Sequence, residues 1–115
     1  MKRTCLTFKT LWGMSESMEQ QLSRIAAAGF DGVEGDPPAE EEAQTFRRLL
    51  KKYHLAYIAD LHTAGDDHFL SFAEQAERAL TFDPVLINSQ TGKDWMPWPE
   101  TIDLFARILD YEKTI

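Results

Sequence analysis

The residues best suited to chemistry lie between positions 84 and 99, in the stretch PVLINSQTGKDWMPWP. It opens with an apolar run at 85–87 that is rich in β-branched side chains, which is typical of a buried strand. From Asn88 onward, amide, hydroxyl and charged groups follow one another in a loop, and Gly92 allows that loop to turn tightly. A buried strand that ends in a dense polar loop is the usual construction of a ligand site in an α/β protein, although an ordinary hydrophilic loop has the same composition.

Four strands and four helices are predicted to alternate along a single domain that spans residues 1–115. Apolar runs predict strands over 5–12, 30–34, 55–61 and 84–88. Apolar residues at helical spacing follow each strand, and the strands begin about every 25 residues, the length of a βα unit with short loops. This pattern predicts an α/β fold of four consecutive βα units with a parallel sheet, whose strands all end along one edge. We expect that edge to gather Trp12, Glu34, His62 and Asn88.

Local signals mark the ends of the predicted helices. Ser17 is placed to cap the first helix, with Gln20 in position to complete a capping box, and Gly29 is placed to end it. Asp66 or Asp67 is expected to cap the third helix. The fourth helix is predicted to bury four apolar side chains, those of Ile102, Phe105, Ile108 and Leu109.

Composition and charge exclude several classes of protein. The net charge of −7 and the lack of a basic patch with interleaved aromatic residues argue against nucleic acid as a partner. No apolar run approaches the roughly 20 residues of a membrane span, and the first ten residues lack the apolar core of a signal peptide. The single cysteine, Cys5, forbids an internal disulfide and favours a cytoplasmic location, and we interpret it as a core residue. His68, early in the third helix, is interpreted as a surface residue.

Three motifs and the equal spacing of the βα units resemble one family. The motifs are Gly-Phe-Asp-Gly-Val-Glu at 29–34, Asp-Leu-His-Thr at 60–63 and Asn-Ser-Gln-Thr-Gly-Lys-Asp at 88–94. Together they are similar to the sugar-phosphate isomerase/epimerase family, the xylose-isomerase-like TIM barrels, and the resemblance covers nearly the whole chain. It implies the first four units, or half, of a (β/α)8 barrel.

The resemblance also implies which half of such a barrel performs which task. In family members the divalent metal ion (Mn, Mg, Zn or Co) and the two catalytic glutamates are held by strands five to eight. We therefore expect no cofactor, no metal-ligand set and no catalytic residue in this chain, and its activity as an enzyme is left open. The implied function is to supply the substrate wall for metal-assisted aldose–ketose isomerisation or epimerisation. In that chemistry a carboxylate removes a proton beside a carbonyl and the metal stabilises the enediolate.

Six residues are the candidates for binding a sugar or sugar phosphate: Trp12, Glu34, His62, Asn88, Gln90 and Lys93. The ring of Trp12 offers apolar area to the C–H face of a sugar, or else packs in the core. Glu34 accepts hydrogen bonds from sugar hydroxyls, or else is solvated. His62 lines the pocket, or else bonds to backbone in its loop. Lys93 holds a phosphate as a point charge, or else is an exposed loop lysine.

Two alternatives to a substrate wall follow from the same pattern. The first is a non-catalytic half-barrel that acts as an assembly module. Four parallel strands cannot close a barrel, so the edges of strands one and four stay free and the chain is predicted to form a homo-oligomer through them. The second alternative is an open flavodoxin-like sheet that binds a small anion.

Overall fold

The strands and helices alternate strictly along the chain. The computed structural model describes residues 4–115. The first three of the ten residues in which no signal peptide is predicted therefore lie outside the described part. The elements are β1 (Phe8–Thr10), α1 (Met18–Ala27), β2 (Gly32–Gly35), α2 (Ala43–Lys52, after a 3-10 turn at Glu40–Glu42), β3 (Ala56–His62), α3 (His68–Leu80), β4 (Leu86–Gln90) and α4 (Trp98–Glu112). The predicted α/β fold of four βα units is confirmed.

The four strands form one parallel sheet in the order β1-β2-β3-β4. Phe8 pairs with Gly32 and Gly32 with Ala56, while Ile58 pairs with Leu86. A flavodoxin-like sheet places its second strand outside its first, in the order 2-1-3. The sequential order therefore contradicts the flavodoxin-like alternative and is the order found in a (β/α)8 barrel.

Helices cover one face of this sheet. On that face Val33, Tyr57 and Leu61 are buried to within 1% exposure. Side chains of the opposite parity stay accessible: Ile58 is half-buried and Leu86 is 58% exposed. Because successive side chains of a strand point to opposite faces, this alternation defines a covered face and an open face.

The open face leaves the molecule with more surface than a closed domain of its mass. The accessible surface is 7997 Å², whereas a compact monomer of this mass exposes about 6,400 Å². The Cα radius of gyration is 15.9 Å, against about 13 Å for a compact domain of this length.

An aromatic cluster forms the centre of the covered face. The rings of Phe46, Tyr57 and Phe82 meet edge to face, with centroids 5.1 to 6.1 Å apart. The Tyr57 hydroxyl donates a hydrogen bond of 2.8 Å to the carbonyl oxygen of Gly35, which ties the end of β2 to the core. Gly32 is required in β2, between β1 and β3, because a Cβ there would collide with the Phe8 ring and the carbonyl oxygen of Ala56.

The local signals at the helix ends are confirmed. Ser17 and Gln20 form the capping box of α1, and Gly29 follows that helix with φ of 91°. Asp67, rather than Asp66, caps α3 by accepting a hydrogen bond from the Leu70 backbone N–H.

The predicted burial of the 85–87 run and of Cys5 is wrong. The 85–87 run is not a buried strand, because β4 lies at an edge of the sheet, and Val85 and Leu86 are exposed. Cys5 is exposed rather than in the core, because β1 begins only at Phe8. None of the described helices is long and apolar enough to cross a membrane.

The predicted buried face of α4 is also wrong. Its apolar residues occur all around the helix, so helical spacing does not single out one face. The helix packs on α3 through Tyr111, whose ring meets the ring of Phe72 at 5.6 Å, and its buried residue is Leu104. Of the four residues expected inside, Ile108 is half-buried while Ile102, Phe105 and Leu109 are exposed.

Candidate functional site

Side chains from three neighbouring strands meet on the open face near the carboxyl ends of the strands. Glu34 lies on β2, Asp60 on β3 and Asn88 on β4. The Asn88 amide nitrogen donates to Asp60 Oδ1 at 3.3 Å and lies 3.5 Å from Glu34 Oε1. These three residues, which we call the edge cluster, combine two carboxylates with one amide in reach of both.

The edge cluster changes the acidity of one of its members. Partial burial raises the pKa of Asp60 from its ordinary 3.8 to about 6, and the adjacent Glu34 carboxylate adds to the rise. The hydrogen bond from Asn88 opposes it. Two carboxylates this close do not both ionise readily, so near neutral pH a proton resides on Asp60 for part of the time. The pair can then both donate and accept hydrogen bonds.

His62, the last residue of β3, lies on the same face and is oriented from two sides. Its Nε2 is 3.1 Å from Asp36 Oδ1, just beyond the end of β2. The side-chain amide of Gln75, on α3, accepts from the His62 backbone N–H at 3.1 Å and donates to its carbonyl oxygen at 2.9 Å. The two hydrogen bonds of Gln75 fix the backbone at the end of β3. In this way α3, which lies behind the strand, holds the His62 ring beside the edge cluster.

A buried threonine joins the loops after β3 and β4. The Gly92 backbone N–H donates to Thr63 Oγ1 at 2.8 Å, and His68 Nδ1 lies 2.8 Å from the same oxygen. The surface interpretation of His68 is therefore wrong: the side chain is buried at the start of α3, where it turns inward towards Thr63. This network positions the polar loop that follows β4.

Of the six predicted site residues, four lie on strands of the sheet and two lie in loops. Glu34 and Asn88 join the edge cluster directly, and His62 and Gln90 are partners in the β3–β4 register. Gln90 lies within β4 and not in the loop after it, because β4 continues two residues beyond the predicted strand end at Asn88. Trp12 and Lys93 lie in exposed loops, so core packing of Trp12, which is 87% exposed, is excluded.

Sequence reasoning overlooked two carboxylates at this edge, those of Asp60 and Asp36. The signal for Asp60 was its position two residues before His62 in a strand, because residues two apart share a face. Asp36 directly follows β2, and His62 is the last residue of β3. Asp36 could have been found from the expectation that parallel strands end along one edge.

A second concavity lies at the opposite end of the strands, where β3 and β4 begin. Arg47, Lys51, His54 and Asp83 are among the residues that line it. Arg47 is already engaged there, because its guanidinium lies 5.1 Å from the Phe82 ring centroid and donates to Thr81 Oγ1. The amino ends of barrel strands typically serve stability and the carboxyl ends serve function, so we assign the site to the edge cluster.

The chemistry of the edge cluster is that of hydroxyl recognition. Carboxylate and amide groups supply both acceptors and donors, which adjacent hydroxyls of a polyol require. Within residues 4–115 the structure places no group of three or more His, Cys, Asp or Glu side chains where they could hold a metal ion together. Comparisons with protein-family models, with curated proteins and with solved structures find no match to this chain.

Proposed function

We propose that this chain supplies the substrate-binding wall of a sugar or sugar-phosphate isomerase or epimerase, built as the first four units of a (β/α)8 barrel. The observation that carries the proposal is the edge cluster, in which Glu34, Asp60 and Asn88 converge from three adjacent strands. Ligands of parallel α/β barrels bind at the carboxyl ends of the strands, and the edge cluster occupies that position.

Two features of the sheet support the barrel part of this proposal. The strand order is sequential, and helices cover one face while the other carries the polar edge cluster. In a (β/α)8 barrel the helices surround the strands and the opposite face points into the barrel. The open face of this sheet then corresponds to the barrel interior.

The residues of the edge cluster bind and orient the sugar. Glu34 accepts hydrogen bonds from two neighbouring hydroxyls, and the side-chain oxygen of Asn88 accepts from a third, since its amide nitrogen donates within the edge cluster. Asp60 donates when protonated and accepts when ionised, because its pKa lies near 6. A divalent metal supplies stabilisation of the enediolate in this class of reaction, and we assign no residue of this chain to that metal.

The test is a titration of the purified chain with fructose, glucose and fructose 6-phosphate, followed by amide NMR shifts. A half-open site is expected to bind in the millimolar range, which corresponds to about −4 kcal/mol. Shifts should concentrate at the ends of β2, β3 and β4. Asp60→Asn should weaken binding, since the amide cannot replace an ionisable acceptor, whereas Asp103→Asn, on the exposed surface of α4, should leave it unchanged.

Lys93 separates recognition of a free sugar from recognition of its phosphate. Lys93→Gln is expected to weaken binding of fructose 6-phosphate and to leave fructose unaffected, because the side chain would contribute a point charge to the phosphate. Shifts scattered over the whole surface, or equal binding by wild type and Asp60→Asn, would show that the edge cluster is not a sugar site.

A further inference from the structure

Exposed apolar side chains occur both at β4 and on the helix that follows it, α4. Val85 and Leu86 lie at β4, and Ile102, Phe105 and Leu109 lie on α4. Each is between 46% and 61% exposed. We call these five residues the β4–α4 surface. Leu86 points to the open face of the sheet, whereas α4 packs on α3 on the side that the helices cover.

The sheet has two edges in the part of the chain that the structure describes. β1 and β4 each pair with one neighbour, β2 and β3 respectively. Their outward backbone groups face solvent, and an exposed edge of this kind is a template for pairing with another strand. The β4–α4 surface lies beside one of these edges.

The excess surface of each copy lies in the range that an obligate dimer buries on each partner. The accessible surface of 7997 Å² exceeds by about 1,600 Å² that of a compact monomer of the same mass. A standard interface buries about 800 Å² on each partner, which is about half of this excess, whereas obligate interfaces bury about 1,000–2,500 Å² on each partner. One covering partner of equal size therefore suffices to remove the excess.

We propose that a second copy of this chain covers the open face and that the two copies, related by a two-fold axis, close an eight-stranded parallel barrel. The β4 edge of each copy lies against the β1 edge of the other. A two-fold axis along the barrel axis satisfies both edges at once and leaves no free edge. An unrelated protein would have to match two different edges. The inference corresponds to the alternative in which the half-barrel acts as an assembly module, and it does not depend on the proposed function, because association is measured without any sugar.

Closure also brings two edge clusters to the same end of one barrel. Glu34 and Asp60 of both copies then point into the barrel interior, where their negative charges oppose association. Exposed charges separated by more than about 8 Å are screened at physiological salt. We expect the dimer to strengthen as salt concentration rises, since both the net charge of −7 and the facing clusters are then screened.

The first test is the molar mass of the chain by light scattering from about 1 to about 200 µM, a range in which a micromolar dimer dissociates. The expected mass at the upper end is twice the 13.2 kDa of one chain. Leu109→Glu places a charge in the β4–α4 surface of both copies and should raise the dissociation constant at least tenfold. Leu70→Glu is the matched control, because Leu70 is 52% exposed on α3 and lies outside this surface.

The second test distinguishes closure from association through α4 alone. Hydrogen exchange of the backbone amides should slow in both β1 and β4 as the dimer forms, and Leu86→Glu should abolish that protection. Both variants replace exposed side chains, so unchanged far-UV circular dichroism is expected. A monomer at 200 µM, a mass that grows beyond two chains, or a dimer without protection of β1 would each overturn the proposal.

Discussion

Replacing Asp60 by asparagine should stabilise the chain at alkaline pH. The substitution removes one of two adjacent carboxylates while it keeps the size and shape of the side chain. The new amide can accept from Asn88 through its oxygen and donate to Glu34 through its nitrogen, so both neighbours keep a hydrogen-bond partner. Only the electrostatic cost of ionising Asp60 is removed.

The size and the pH dependence of this effect follow from the pKa of Asp60. The pKa of Asp60 is about 6 in the folded chain, against an ordinary value of 3.8. At pH values above both, this difference lowers the free energy of unfolding by about 3 kcal/mol. Because the open face admits solvent, which screens the interaction, we reduce the expected gain to about 1 kcal/mol. The folded chain holds a proton between about pH 4 and 6 that the unfolded chain has released. Asp60 therefore lowers stability as pH rises through this window, and the loss is complete above it.

The measurement is urea unfolding of wild type and Asp60→Asn, followed by far-UV circular dichroism at pH 4 and at pH 8. The variant should gain about 1 kcal/mol at pH 8 and show little difference at pH 4. Glu34→Gln should produce a smaller gain, since it removes the repulsion but leaves the burial of Asp60, which is the largest cause of its raised pKa. The double variant should gain less than the sum, because both changes remove the same repulsion. A variant that is less stable than wild type at pH 8, or a gain that is equal at both pH values, would refute the reasoning.

Three further substitutions test how the sheet is held together. Tyr57→Phe should cost about 1–2 kcal/mol in urea unfolding, because the buried carbonyl oxygen of Gly35 loses its donor. Gly32→Ala should cost at least about 1–3 kcal/mol by the same measurement, since its Cβ would collide with atoms from both neighbouring strands. Gln75→Leu should speed hydrogen exchange of the His62 amide without changing the exchange of core amides in β3, because the lost contacts are confined to the end of that strand. Uniform acceleration along β3 would show that Gln75 supports the whole strand.

Part of the candidate site was predictable from the spacing of the strands. Parallel βα units must bring their strand ends to one edge, and this predicts that Glu34, His62 and Asn88 lie close together. Asp60 was overlooked because it lies inside a strand and its neighbours in that strand are mainly apolar. The spacing of the strands does not show whether Lys93 and Trp12 contribute to a site, because both lie in exposed loops whose conformation depends on non-local contacts.

The sequence by itself determined the features that act over a few residues. The capping box at Ser17, the stop at Gly29 and the alternation of βα units all arise from contacts between residues near in sequence, so local spacing predicts them. The tertiary structure alone decided which surfaces are covered. Whether Leu86 or Leu109 is buried depends on which strand lies at the edge and on which side the helices pack. Those are relations between distant segments, and a residue's own apolar character does not specify them.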